Sequence, residues 1–201
     1  MRVSDSGGVR TITFDRPDAR NAFTGEVAKE LADTIADTDI EKVDIVVLTG
    51  EGKAFSAGGD IKAMSQREES THEAYERVRA TLGRVFEEIW TAPFPVVAKV
   101  NGDAVGAGMS LAAVSDFAYA SEGARFGSVF IKVGLIPDMG GSFLLPRIVG
   151  LRKAKELAFT GKLIAAEEAA EIGLVDRVLP SSELDKAVDE FVQELGSQPS
   201  E

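Results

Sequence analysis

The sequence contains no cysteine and a single histidine, and 33 acidic residues outnumber 22 basic ones. Without cysteine, disulfides, thiolate metal sites and thiol catalysis are excluded. One histidine also excludes a His-cluster metal site and argues against a Ser–His–Asp triad. The formal charge of −11 disfavours nucleic acid and anionic membrane surfaces as partners. A salt-rich cytoplasm and an ordinary solvated surface would explain this acidity equally well.

Long apolar runs are absent too. No stretch approaches the roughly 20 apolar residues that cross a bilayer, and residues 1–10 are polar, without a signal-peptide pattern. We therefore expect a cytoplasmic location. A length of 201 residues, with 44% hydrophobic and 27% charged residues, suits a single domain over residues 1–201.

Strand and helix patterns alternate along the chain, which predicts an α/β fold. Runs rich in apolar and β-branched residues predict strands at 9–14, 43–48, 96–100, 117–120 and 175–179. Apolar residues three and four apart predict helices at 24–35, 75–89, 139–148, 151–159, 165–172 and 182–195. Thr24 is expected to cap the first helix, Ser181 or Ser182 the last. Trp90 is expected in the core, and the polar segment before Ser70 is expected to be a loop.

Two glycine-rich segments, 54–62 and 101–108, each follow a predicted strand. Backbone without side chains lets a ligand approach closely, and two converging N–H groups would form an oxyanion hole. The alternative is that the glycines only permit tight turns or close packing. Neither segment contains a phosphate-loop or dinucleotide-binding pattern, so nucleotide binding by those routes is disfavoured.

Five segments resemble, in order, the conserved blocks of the crotonase (enoyl-CoA hydratase/isomerase) superfamily. They are DRPDARNAF at 15–23, GKAFSAGGDIK at 52–62, VNGDAVGAG at 100–108, RFG at 125–127 and GLIPDMGG at 134–141. The resemblance covers nearly the whole chain. In motif it is nearest to enoyl-CoA isomerases with one catalytic carboxylate, including the ring-1,2-epoxyphenylacetyl-CoA isomerase type.

The resemblance implies a spiral of ββα turns that binds acyl-CoA. The backbone N–H groups of Ala57 and Ala107 would hold the thioester oxygen. Lys62 would lie near the CoA phosphates. The adenine end of CoA would lie against the backbone of Ala57, Gly58, Gly59, Asp60 and Ile61. No separate cofactor and no metal are expected, since coenzyme A is part of the substrate. Many relatives carry glycine at position 107, and a left-handed backbone there would cost alanine about 1–2 kcal/mol.

The acid/base groups decide the reaction. Family hydratases use two glutamates to activate water, and the matching positions here, which would contact substrate, are Ser110 and Phe130. A serine hydroxyl without an activating base is a poor proton carrier near neutral pH, and phenylalanine cannot transfer a proton. Asp138 stands where some isomerases of the family place their single acidic residue. The resemblance therefore implies double-bond isomerisation with Asp138 as the acid/base.

Asp138 has an ordinary alternative role as the N-cap of the helix that follows, worth ~1 kcal/mol. Apolar neighbours such as Phe130 and Phe143 would raise its pKa, whereas a helix N-terminus would lower it. The sequence does not decide which influence is larger.

Two other functions stay open. One is hydration of a 2-enoyl-CoA with water activated by Asp138. The other is a catalytically silent acyl-CoA-binding or oligomer-partner protein. The resemblance implies a homotrimer or a dimer of trimers. Family members usually continue into a further C-terminal helical segment that covers the acyl pocket and contributes to trimer contacts. This chain ends at residues 198–201, soon after a predicted helix, so that segment is expected to be short or missing.

Overall fold

The computed structural model describes residues 1–197. Its strands form a six-stranded sheet, in the order β1-β2-β3-β5-β7-β10, and a four-stranded sheet, in the order β4-β6-β8-β9. The strands are β1 (Arg2–Ser6), β2 (Val9–Phe14), β3 (Ile45–Gly50), β4 (Ala54–Ser56), β5 (Val96–Val100), β6 (Asp103–Val105), β7 (Phe117–Ser121), β8 (Arg125–Gly127), β9 (Ile164–Ala165) and β10 (Arg177–Leu179).

Helices connect the strands and close the chain. They are α1 (Gly25–Ala36), α2 (Ile61–Ser65), α3 (Thr71–Val78), α4 (Arg84–Trp90), α5 (Ala107–Val114), α6 (Gly141–Ile148), α7 (Leu151–Thr160), α8 (Ala166–Glu171) and α9 (Leu184–Gly196). Short 3₁₀ helices cover Pro17–Ala19 and Val129–Val133, and a π turn at Arg79–Gly83 joins α3 to α4.

One structural unit occurs three times in succession. Each unit places a strand in the large sheet, then a strand in the small sheet, then helix: β3-β4 with α2 to α4, β5-β6 with α5, and β7-β8 with α6. The strands of successive units pair in parallel in both sheets. The predicted α/β spiral of ββα turns is therefore confirmed, and the segments that follow β4, β6 and β8 come to the same edge of the small sheet.

The central strands of the large sheet, β3, β5 and β7, are buried on both faces, which explains their nearly continuous apolar sequences. Neighbouring residues of a strand point to opposite faces. Val46 and Leu48 of β3 therefore pack into the main core beneath α1 and α4. Ile45 and Val47 pack into a second core against α9.

Several local predictions are confirmed. Strands occur at Val9–Phe14, as its alternating β-branched pattern predicts, and at Val96–Val100, as its apolar run predicts. Thr24 caps α1 by accepting a hydrogen bond from the Val27 N–H.

Other local predictions are wrong. Trp90 is the last residue of α4 and is 55% exposed. Its ring contacts the edge of the core, stacking on Phe86 and meeting the Phe143 ring of α6 edge-to-face. The side chain of Ser181 does not cap α9; its hydroxyl pairs with that of Ser121, and no side chain caps that helix. The segment before Ser70 contains α2 and is not entirely loop.

Within residues 1–197, no helix is long and apolar enough to cross a membrane. The cytoplasmic location and the single domain over residues 1–201 stay predictions. The predicted closing helix is present as α9, and residues 198–201 lie outside the described part.

Candidate active site

The two glycine-rich segments are in direct backbone contact. A methyl group on Gly58 would lie 2.6 Å from the carbonyl oxygen of Val105 and 3.1 Å from the amide nitrogen of Ala107. Gly58 also has a φ of +81°, which favours glycine. Close packing, the alternative function of these glycines, is therefore real. The same packing also brings the backbone N–H groups after β4 and β6 near each other.

The N–H groups that follow β4 differ in what they bind. The Ala57 N–H donates to the carbonyl oxygen of Arg20 at 2.9 Å, and the Asp60 N–H donates to that of Phe23 at 2.9 Å. The Gly59 N–H has no acceptor within residues 1–197. This corrects the assignment of Ala57 as an oxyanion donor, because its N–H is already occupied. The Gly58 N–H donates to the Ser56 Oγ atom at 3.2 Å, so Gly59 is the first residue after β4 whose N–H has no acceptor in the described part of the chain.

Ala107 begins α5, where the first N–H groups of a helix have no partner inside the helix. Its N–H has no acceptor in the described part of the chain, and the residue is 1% exposed. Gly106 takes the positive φ of 56°, and Ala107 is not among the residues with positive φ. The strain expected for alanine at 107 therefore does not arise.

The rest of segment 57–62 is held by its own contacts. The Asp60 carboxylate accepts from the Ala63 N–H at 3.0 Å and pairs with Arg16 at 3.2 Å. The hydrogen bond from Ala63, with the neighbouring Arg16, lowers the pKa of Asp60 although burial opposes it. Ile61 and Lys62 are exposed. The Asp60 side chain is thus engaged in capping α2, whereas Lys62 is free to contact a ligand.

A narrow cavity lies beside the start of α5. Its wall includes Gly106, Ser110, Ser128, Phe130, Pro137 and Gly141. The volume open to the centre of a water molecule is about 10 Å³, which suits about one water. The fold thus brings together Ser110 and Phe130, the two positions that carry glutamate in family hydratases. Gly106, which precedes Ala107, lies in the same wall, as do Pro137 and Gly141 on either side of the Asp138 turn. A wider surface groove near Lys99 and Asp185 includes none of these residues.

Asp138 lies in the turn before α6 and does not cap that helix. Its carbonyl oxygen accepts a hydrogen bond from the Gly141 N–H at 2.8 Å. Gly140 occupies the N-cap position, and no side chain caps the helix. Met139 has a φ of 46°, a conformation that costs a residue with a side chain about 1–3 kcal/mol. The N-cap role considered for Asp138 is therefore wrong, and a strained turn holds the residue.

The side chain of Asp138 is half-buried and makes no ion pair among residues 1–197, and one of its two carboxyl oxygens is buried without a partner. Its Oδ1 atom has no hydrogen-bond partner within residues 1–197. Burial raises the pKa of Asp138 from 3.8 to about 6, although its own backbone N–H opposes the change. Of the two influences considered from the sequence, burial is the larger. A carboxyl group with a pKa near neutral can both accept and return a proton.

Asp103 is also buried but is fully paired. Arg125 donates to it at 3.0 and 2.6 Å, and Arg20 pairs with it as well. Burial alone would raise the pKa of Asp103, but the hydrogen bond and charge of Arg125, with the charge of Arg20, lower it. This carboxylate therefore joins chain segments and is unsuited to proton transfer.

Within residues 1–197, no group of three or more histidine, aspartate or glutamate side chains could hold a metal ion. That the protein needs no cofactor stays a prediction.

Sequence reasoning missed two features of this site. The free Gly59 N–H follows from the pairing of segment 57–60 with residues 20–23, which no local pattern shows. The second feature is the buried hydroxyl of Ser128, which has no partner among the described residues. One pattern in the sequence could have indicated it, because Ser128 is a polar residue between the RFG block and an apolar run.

Comparison with known proteins agrees with this architecture. The enoyl-CoA hydratase/isomerase family model matches residues 4–201. The short-chain-enoyl-CoA hydratase of Clostridium acetobutylicum is 39% identical over 198 residues, covering 97% of this chain and 74% of that protein. The 1,2-epoxyphenylacetyl-CoA isomerase of Escherichia coli is 34% identical over 199 residues, covering 96% and 74%. A Thermobifida fusca crystal structure in complex with CoA superposes with a TM-score of 0.91 at 35% identity, covering 98% and 79%.

The match extends over nearly the whole chain and includes the fold, both glycine-rich segments and the Asp138 turn. Hydratases and isomerases both occur among the relatives, so similarity does not by itself select one reaction. The chain belongs to the enoyl-CoA hydratase/isomerase family, the crotonase superfamily.

Proposed function

We propose that the protein moves the double bond of an enoyl-CoA thioester, with Asp138 as the acid/base. The observation that carries this proposal is the buried, unpaired Oδ1 atom of Asp138 beside the cavity, together with a pKa raised to about 6. Burial keeps the carboxylate from water and from cationic partners, which makes it a stronger base than an exposed aspartate.

The reaction needs one carboxylate and one oxyanion site. Asp138 removes a proton from carbon 2 of a 3-enoyl thioester and returns it to carbon 4, so the product has the same composition. The dienolate formed between these steps carries its charge on the thioester oxygen. We assign the Gly59 and Ala107 N–H groups to that oxygen, because both lack an acceptor within residues 1–197. Removing one such donor typically costs ~10²–10³ in rate.

Acyl-CoA as the ligand is supported by the CoA complex of the Thermobifida fusca relative. We propose that the backbone of 57–61 faces the adenine end, with the exposed Lys62 near the phosphates. Assembly into homotrimers stays a prediction.

Hydration of a 2-enoyl-CoA is the second candidate. The 39% identity to a short-chain-enoyl-CoA hydratase and a cavity that suits about one water favour it. Against it, the two positions that carry glutamate in family hydratases are a serine and a phenylalanine, both in the cavity wall. Asp138 would have to activate water alone.

The test incubates the protein with a 3-enoyl-CoA and, separately, with a 2-enoyl-CoA. Conjugated-thioester absorbance and product mass are followed for wild type, Asp138→Asn and the control Asp185→Asn, which alters an exposed carboxylate on α9. We expect the 3-enoyl substrate to become conjugated without mass gain. Asp138→Asn should lose about 10²–10⁴ of this rate, and Asp185→Asn should keep it.

Two results would contradict the proposal. Water addition to the 2-enoyl substrate that survives Asp138→Asn would show a hydration that does not use this carboxylate. Tight binding of acyl-CoA with no change in either substrate would show a catalytically silent binding protein.

A further inference from the structure

Two serine side chains lie in the wall of the small cavity. Ser110 is 4% exposed and Ser128 is 2% exposed. The Ser128 Oγ atom is buried and has no hydrogen-bond partner among the described residues. A methyl group on Gly141 would lie 2.6 Å from the Ser110 Oγ atom. The Ser110 hydroxyl therefore faces the side of the cavity that leads to the Asp138 turn.

Apolar side chains form the remaining wall. Met109, Ala113, Phe130 and Leu145 surround the two hydroxyls. Buried hydroxyls in proteins nearly always have a hydrogen-bond partner, and leaving one unpaired in an apolar wall is unfavourable. The free volume suits about one oxygen-sized group, since about 10 Å³ is open to the centre of a water molecule. The cavity is thus small, polar at two points and apolar elsewhere.

We propose that Ser110 and Ser128 select acyl groups that carry an oxygen atom, such as a hydroxyl, over plain alkyl chains. This inference rests on the proposed function, because it places the acyl group of the substrate in the cavity beside Asp138. An oxygen-bearing acyl group gives the hydroxyls a partner and displaces the water that would otherwise bind there. A plain chain displaces the same water and leaves the buried Ser128 hydroxyl without a partner. Sites with built-in polar groups reject ligands that lack the matching group for this reason.

Binding measurements test the inference without requiring turnover. Hexanoyl-CoA, 5-hydroxyhexanoyl-CoA and 6-hydroxyhexanoyl-CoA are titrated calorimetrically into wild type, Ser128→Ala and Ser115→Ala. Ser115 directly follows α5, the helix that contains Ser110. Its hydroxyl donates to the Leu111 carbonyl oxygen, and it is not in the cavity wall. We expect wild type to bind one hydroxylated ligand about tenfold more tightly than hexanoyl-CoA. Ser128→Ala should reduce this preference to about twofold, and Ser115→Ala should keep it.

Ser128→Ala should fold normally, since it removes a hydroxyl that makes no hydrogen bond within residues 1–197. Equal binding of the three ligands by wild type, or an unchanged preference in Ser128→Ala, would overturn the inference. The corresponding 3-enoyl-CoAs are then assayed for conjugation. A binding preference without turnover would refute the isomerase proposal and leave the selection by the two serines standing.

Discussion

Replacing Asp138 by asparagine should stabilise the fold while abolishing the proposed activity. The Oδ1 atom of the Asp138 carboxyl group is buried and has no partner within residues 1–197. The raised pKa of about 6 means that the folded protein binds the proton more tightly than the unfolded chain does. Above pH 6 the wild type must keep a charged group in this site. Asparagine has a similar shape and no charge to bury.

The raised pKa sets the magnitude. At low pH Asp138 is protonated and its neutral form does not destabilise the fold. The protein loses stability as the pH rises through about 6 and the group ionises. The ionised group then lowers the free energy of unfolding by about 3 kcal/mol at pH 8, but by only about 1 kcal/mol at pH 4.5. Part of this gain is offset because a carboxamide is itself polar. We therefore expect Asp138→Asn to be about 2–3 kcal/mol more stable than wild type at pH 8.

Urea unfolding of both proteins at pH 8 and pH 4.5, followed by far-UV circular dichroism, measures the difference. Asp103→Asn is the control of opposite sign, because that carboxylate is paired with Arg125 and Arg20 and its pKa is lowered. Its stabilising contribution is present above the ordinary aspartate pKa and is lost only as the pH falls through the lowered value. We expect Asp103→Asn to be destabilised by about 2–3 kcal/mol at both pH values.

The reasoning would be refuted if Asp138→Asn were no more stable than wild type at pH 8. It would also be refuted if the advantage of Asp138→Asn did not shrink at pH 4.5 while the Asp103→Asn effect stayed constant. Either result would mean that the site does not disfavour the charged carboxylate.

Three further outcomes are expected. The kcat/KM for a 3-enoyl-CoA should rise about tenfold per pH unit below about 6 and level off above it, because Asp138 must be ionised to accept a proton; a profile that is flat between pH 5 and 8 would remove Asp138 as the base. Gly58→Ala should lose most activity and about 1–3 kcal/mol of stability, since the methyl group meets the Val105 carbonyl oxygen at 2.6 Å. Thermal unfolding measures the loss of stability and turnover the loss of activity, and a fully active variant would argue against the close contact. Gly140→Ala should lower kcat, because the methyl group meets the Phe86 ring at 2.3 Å and would shift the Asp138 turn; unchanged kinetics would show that the turn tolerates movement.

Local patterns in the sequence predicted much of the fold. The alternation of apolar and polar residues in β2 matched its strand because successive side chains point to opposite faces of the sheet. The apolar run of β5 matched its strand because four of its five residues are buried. Thr24 capped its helix because capping needs only residues within one turn. Trp90 was misplaced for the opposite reason. Its spacing fits the apolar stripe of its helix, but whether that stripe is covered depends on elements elsewhere in the chain.

The candidate site shows the same division. The two glycine-rich segments could be recognised from residue types alone, because glycine permits particular backbone paths. Asp138, Ser110 and Phe130 were selected by the resemblance to the family's blocks, since the residues alone favoured an N-cap role for Asp138.

Only the tertiary structure decided which N–H groups are free and which carboxylate is unpaired. Ala57 and Gly59 are two residues apart, yet pairing with residues 20–23 occupies the Ala57 N–H and leaves that of Gly59 open. Asp103 and Asp138 are both aspartates at the ends of turns, yet arginines from distant segments pair with the first and burial raises the pKa of the second. Whether an N–H group can donate, or a carboxyl group can transfer a proton, depends on neighbours that the fold brings from distant parts of the chain. The sequence by itself determines only which residue stands at each position.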